Sequence, residues 1–73
     1  MMDELKSGDW AIIVEVNTYR LLEMGLRPGQ KIRMICPGNT CIISYGTTRL
    51  AIRDVDLVVR KIEKGDTNTV HRG

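Results

Sequence analysis

A mainly β fold is predicted, with about five short strands rolled into a small closed or nearly closed barrel and one short helix between the first and second strands. Three observations carry this. Short runs of alternating, often β-branched apolar residues, roughly five to eight long, recur through the chain. Turn-forming residues separate them at short intervals. Only one stretch, residues 19–24, reads as helix.

The first strand is "DWAIIVEV", residues 9–16, opened by Ser7-Gly8. Trp10, Ile12, Val14 and Val16 share one parity, and Ala11, Ile13 and Glu15 the other, so both faces are partly apolar. Asn17-Thr18 supplies a helix N-cap, because either side-chain oxygen can accept an unpaired backbone N–H. Tyr19–Met24 is then barely two turns, too short to hold in water unless it leans on the sheet. Gly25 ends it. A Schellman-type stop is expected, with Leu26 meeting Leu21. Arg27-Pro28-Gly29-Gln30 fits a type II turn, with Pro28 presetting φ and Gly29 accepting positive φ. The chain enters "KIRMIC", 31–36, at once. "PGNT" turns it into "CIISY", 41–45. Gly46-Thr47 suits a two-residue hairpin into "TRLAIR", 48–53. "DVD", 54–56, reads as one 3₁₀ turn before the last strand, "LVVRKI", 57–62. The remainder has little to bury, which puts the domain at 1–63 and a flexible tail at 64–73.

Closure is the economical way for so short a chain to hide sheet edges. With a 3₁₀ corner before the last strand, an SH3-like barrel is the natural choice. An OB-fold would place its helix between the third and fourth strands. The 73 residues suffice for one small domain with a thin core. Apolar residues make up 42% and charged residues 27%, a globular rather than disordered balance. The net charge of +2 is too even for a dedicated nucleic-acid binder. The longest apolar run, Trp10–Val14, is too short to span a bilayer. The polar start "MMDELKSGD" does not read as a secretory signal, so a cytoplasmic location is expected.

Few residues suggest chemistry. Cys36 and Cys41 flank "PGNT" at a C-x₄-C spacing. They read either as a metal or redox pair or as two small apolar side chains beside a hairpin. A closed zinc site needs about four ligands, and His71, the sole histidine, lies in the tail. Asp54 and Asp56, with Asp9 expected near them, read as acceptors for turn amides. No nucleophile–base pair or phosphate loop is present, so no enzyme is expected. Lys31, Arg33, Arg49, Arg53, Arg60 and Lys61 alternate with core positions and read as a solvated basic wall. Leu21, Leu22, Met24 and Leu26 crowd a helix that cannot bury them all, which leaves Met24 first in line as an exposed docking group.

"RLLEMGLRPGQKIRMI" and the later "CIISYGTTRLAIRDVDLVVRKI" resemble the ferrous iron transport protein A (FeoA) family. The matching residues are Arg20, Leu21, Leu22, Met24, Gly25, Leu26, Pro28 and Gly29, then Leu50, Ala51, Ile52 and Arg53. The segment between first strand and helix is shorter than is usual in that family, and the turn after Cys36 lacks the usual insert. The resemblance implies an SH3-like barrel and an accessory, non-enzymatic role in bacterial or archaeal ferrous iron uptake. The implied partner is the cytosolic region of the membrane GTPase transporter FeoB. A related domain in iron-dependent repressors makes a regulatory module the neighbouring alternative. The expected docking set is Arg20, Leu21, Leu22, Met24, Leu26 and Arg27, with Gly25, Pro28, Gly29 and Arg53 as structural positions. No cofactor is required. Weak binding of Fe²⁺ or Zn²⁺ by Cys36, Cys41 and His71, as a metal sensor or carrier, is the alternative. Neither nucleic acid nor direct membrane insertion is expected, and a homo-oligomer stays open.

Overall fold

A computed structural model describes residues 2–62, so the tail expected over 64–73, with His71, lies outside the described residues. Five antiparallel strands form one sheet in the order β4-β3-β2-β1-β5. They are β1 (Trp10–Val16), β2 (Lys31–Cys36), β3 (Thr40–Tyr45), β4 (Thr48–Arg53) and β5 (Leu57–Lys61). One helix, α1 (Tyr19–Glu23), connects β1 to β2, and a 3₁₀ turn at Asp54–Asp56 precedes β5. This is the mainly β arrangement expected, five strands with one short helix between the first two, and strand ends are displaced by a residue at most.

The sheet coils around Ile13, Leu21, Leu26, Ile32, Met34, Ile43, Ile52 and Leu57, all fully buried. Alternation assigns half of them, Ile32 and Met34 in β2, Ile43 in β3 and Ile52 in β4, and buries Leu50 beside Ile52. Strand β1, apolar on both faces, turns Ala11 and Ile13 inward and leaves Trp10 and Val14 exposed. Its pairing with β5 slips between Ile13 and Glu15, where Val14 is the extra residue of a bulge. Past the bulge, Val16 returns to pack against the core.

The N-terminus does more than the sequence announces. Met2–Glu4 forms a 3₁₀ turn, and Met2 and Leu5 are buried in the core cluster. The segment is tied along β2, with Gly8 N–H donating to the Met34 carbonyl at 2.7 Å and Met34 N–H to the Asp9 carbonyl at 2.8 Å. The Ser7 hydroxyl donates to the Ile35 carbonyl at 2.8 Å.

Asp9 does not approach Asp54 and Asp56. It precedes β1, whereas the 3₁₀ turn adjoins the far end, where Asn17 N–H donates to the Asp56 carbonyl. Asp56 takes the local role expected of it, accepting from Arg53 N–H at 2.8 Å, and Asp9 accepts from Lys6 N–H at 2.9 Å. The Lys6 amide, joined by the Lys61 charge at 3.5 Å, holds the Asp9 carboxyl below the usual range.

Candidate functional site

The helix and its turn are the most heavily tied segment outside the sheet. Thr18 is extended, and its hydroxyl accepts from Leu21 N–H at 3.4 Å as the N-cap. The stop is a complete Schellman motif. Gly25 N–H donates to the Leu22 carbonyl at 3.0 Å, and Leu26 N–H to the Leu21 carbonyl at 3.1 Å. Gly25 sits at φ +97°, which an L side chain rarely adopts. The type II turn follows, with Gly29 at φ +95° and Gln30 N–H donating to the Arg27 carbonyl at 3.3 Å. This turn locks onto β1: Gly29 N–H donates to the Ile13 carbonyl, and Ile13 N–H to the Gln30 carbonyl.

Side chains add further bonds to carbonyls of the stop. The Tyr45 hydroxyl donates to the Met24 carbonyl at 2.8 Å, joining the end of β3 to the helix stop. Gln30 Nε2 donates to the Gly25 carbonyl at 3.0 Å. Arg27 Nη1 donates to the Leu22 carbonyl at 2.7 Å and to its neighbour Leu26's at 2.9 Å, which places a cation at the helix C-terminus.

These contacts divide the expected docking set. Leu21 and Leu26 are 0% exposed, so they are core and not part of a rim. Leu22 is half-buried. Arg27 is exposed, but its Nη1 is already spent on two carbonyls of its own chain. What faces out is Arg20, Glu23, Met24 and, most of all, Tyr19, at 76% exposure. Arg20 Nη1 lies 4.0 Å from Met24 Sδ, one helical turn on. Tyr19, outside the expected docking set, opens the helix on its outer side. A helical projection that puts Leu21 inward sends residue 19 outward. Among the structural positions, Gly25 and Gly29 sit at positive φ in the helix stop and in the turn that holds Pro28. Arg53 contributes through its backbone N–H to Asp56, and its side chain is exposed.

The cysteines do not converge. Strict alternation would carry Cys36 inward after Ile32 and Met34, directly across from Cys41. Instead the β2–β3 register slips between Met34 and Cys36, with Ile35 the extra residue, so Cys36 stands opposite Ile42 on the outer side. Cys36 is exposed, Cys41 is buried, and both are free. The Cys41 thiol lies 3.6 Å from the Ile52 carbonyl. Burial, with Asp54 nearby, raises its pKa and so opposes the thiolate that a metal ligand or nucleophile needs. No group of three or more His, Cys, Asp or Glu poised to hold a metal occurs among the described residues. His71 falls outside them.

The basic wall is exposed at Lys31, Arg33, Arg49, Arg53, Arg60 and Lys61. No helix among the described residues is long and apolar enough to cross a membrane.

Comparison with known proteins agrees with this architecture. The model of the FeoA domain family matches residues 1–63. A solved crystal structure, described as that of the iron uptake regulatory protein FeoA, superposes with a TM-score of 0.66 at 32% identity, covering 84% of this chain and 93% of that one. No curated protein matches. With the family's pattern running through nearly all of the described barrel, the chain belongs to the FeoA family.

Proposed function

We propose that this protein serves ferrous iron uptake as a cytoplasmic, non-enzymatic interaction module that binds and modulates the membrane transporter FeoB through the outer side of α1. Membership of the FeoA family supports the role in iron uptake. One structural observation supports the surface: a short helix pinned at both ends and underneath still holds Tyr19 and Met24, 76% and 39% exposed, out in solvent. Large apolar and aromatic groups on a rigid support make good anchors, because little freedom is lost on binding. A lone domain of this size offers a modest, transient interface. The expected contact set is therefore Tyr19, Arg20, Leu22 and Met24, with Leu21 and Leu26 as its foundation.

NMR titration of the labelled protein with the cytosolic region of the cognate transporter tests this. Chemical-shift changes are expected around residues 19–24, and they should be lost in Tyr19→Ala/Met24→Ala. Saturating partner that leaves these resonances unmoved would refute the assignment.

A further inference from the structure

The outer face of the sheet holds a second surface. Two cross-strand rows lie side by side on it. One runs Arg49, Ser44, Arg33, Trp10 across β4, β3, β2 and β1. The other runs Lys31, Ile12, Arg60 with β1 in the middle. The alternation that buries Ala11, Ile13, Ile32 and Met34 turns these side chains the other way. Arg49, Arg33, Lys31 and Arg60 are all exposed, and no position in either row is a carboxylate. Four cations thus stand on the outer side of the sheet in a chain whose formal net charge is only +2. Trp10 is 47% exposed, and the Arg33 guanidinium lies 5.7 Å from its ring centroid. That cation–π contact holds the indole on the basic face.

We propose that this face binds peripherally to an anionic lipid bilayer, its four cations meeting headgroup phosphates and the Trp10 indole lying at the interface. An amphipathic ring among long-stemmed cations is the composition that suits the membrane–water boundary. The attraction to anionic headgroups grows with each Lys or Arg near the surface. Single-stranded nucleic acid would need successive stacking rings, and Trp10 is the one aromatic residue in the two rows. An extended acidic peptide adding as a strand would need an open edge, and the open edges are those of β4 and β5, whereas Trp10 stands on the internal strand β1. This inference rests on the sheet and not on the transporter reading, which concerns α1.

Trp10 is the sole tryptophan, so its emission reports this face. The full chain is mixed at low salt with vesicles of phosphatidylcholine, with or without phosphatidylglycerol, and followed by flotation and fluorescence. Association and a blue shift are expected with the anionic vesicles alone, weakening as ionic strength passes about 0.15 M. Arg33→Glu/Arg49→Glu, checked for fold by circular dichroism, should lower partitioning at least about tenfold. Lys31→Glu/Arg60→Glu reads the other row if the first pair misfolds. Inorganic phosphate alone should leave the emission unchanged. The proposal is overturned by absent binding at low salt, by equal binding to neutral vesicles, or by equal binding of a folded charge-reversed variant. It is also overturned if phosphate reproduces the vesicle shift, or if a single-stranded oligonucleotide binds more tightly and displaces the vesicles.

Discussion

Residues 17–30 and the β2–β3 connection are both short links between neighbouring strands, yet they are built differently. In the first, Thr18 caps the Leu21 N–H, and the carbonyls of Leu21, Leu22, Met24, Gly25 and Leu26 are taken up by a Schellman pair, a tyrosine, a glutamine and an arginine. In the second, Pro37, Gly38 and Asn39 are all exposed, and the contact found there among the described residues is a weak one, the Cys36 thiol 4.0 Å from the Pro37 carbonyl. The contrast teaches where each can serve. The first link offers fixed side chains on a supported platform. The second separates its two thiols to opposite sides of the sheet, so it presents no ready ligand pair.

The largest effect that would break this contrast is expected inside the first link. Leu21→Ala removes a fully buried side chain beneath the helix and should cost about 2–5 kcal/mol by urea denaturation. A loss under about 0.5 kcal/mol would mean that the helix is not part of the cooperative core. Gly25→Ala comes next. A Cβ there would meet nothing within 4 Å, so the expected cost of about 1–2 kcal/mol is purely that of a positive φ. Tyr45→Phe removes the hydroxyl tie to Met24 and should cost about 0.5–1.5 kcal/mol. It should also speed hydrogen exchange in α1 before it affects β2.

Two smaller effects sharpen the comparison. Tyr19→Ala and Met24→Ala should each change stability by less than about 0.5 kcal/mol. Their effect should fall on partner binding, and a large loss of stability would return them to a structural role. At the second link, a thiol reagent should label Cys36 quickly in the native protein and Cys41 only on opening or unfolding. The Cys41 pKa is raised in the folded state, so the unfolded chain loses this proton first as pH climbs. Its contribution to stability is therefore present below the unfolded thiol pKa and lost as pH rises through the folded one. Cys41→Ala should flatten that alkaline decline in a pH series of denaturation curves. Equal labelling rates for the two thiols would contradict the opposite-side arrangement.

How much of this was legible beforehand follows the range of the interactions. Thr18, Gly25, Pro28-Gly29 and Gly46 each act over four or five residues, and the cap, both turns and the hairpin stand where their chemistry placed them. The candidate surface was legible in outline, as a leucine-rich helix too short to bury everything. Which members it would bury was not. Leu21 and Leu26 went inside and Tyr19 outside because the helix's rotation is set by its seat on the barrel, not by its own five residues.

The amino-acid order by itself therefore determined the number of strands, the single helix and the positions of its stops, because propensity, capping and turn geometry are local. Tertiary structure alone decided which face of β1 turned inward, since Trp10-Ile12-Val14 and Ala11-Ile13 are both apolar enough for either role. It also decided that Met2 and Leu5 would join the core cluster, and that one extra residue in β2 would carry Cys36 away from Cys41. Period-two alternation specifies two faces without naming the inner one. A bulge exchanges them midway, and that choice is made by partners far away in the chain.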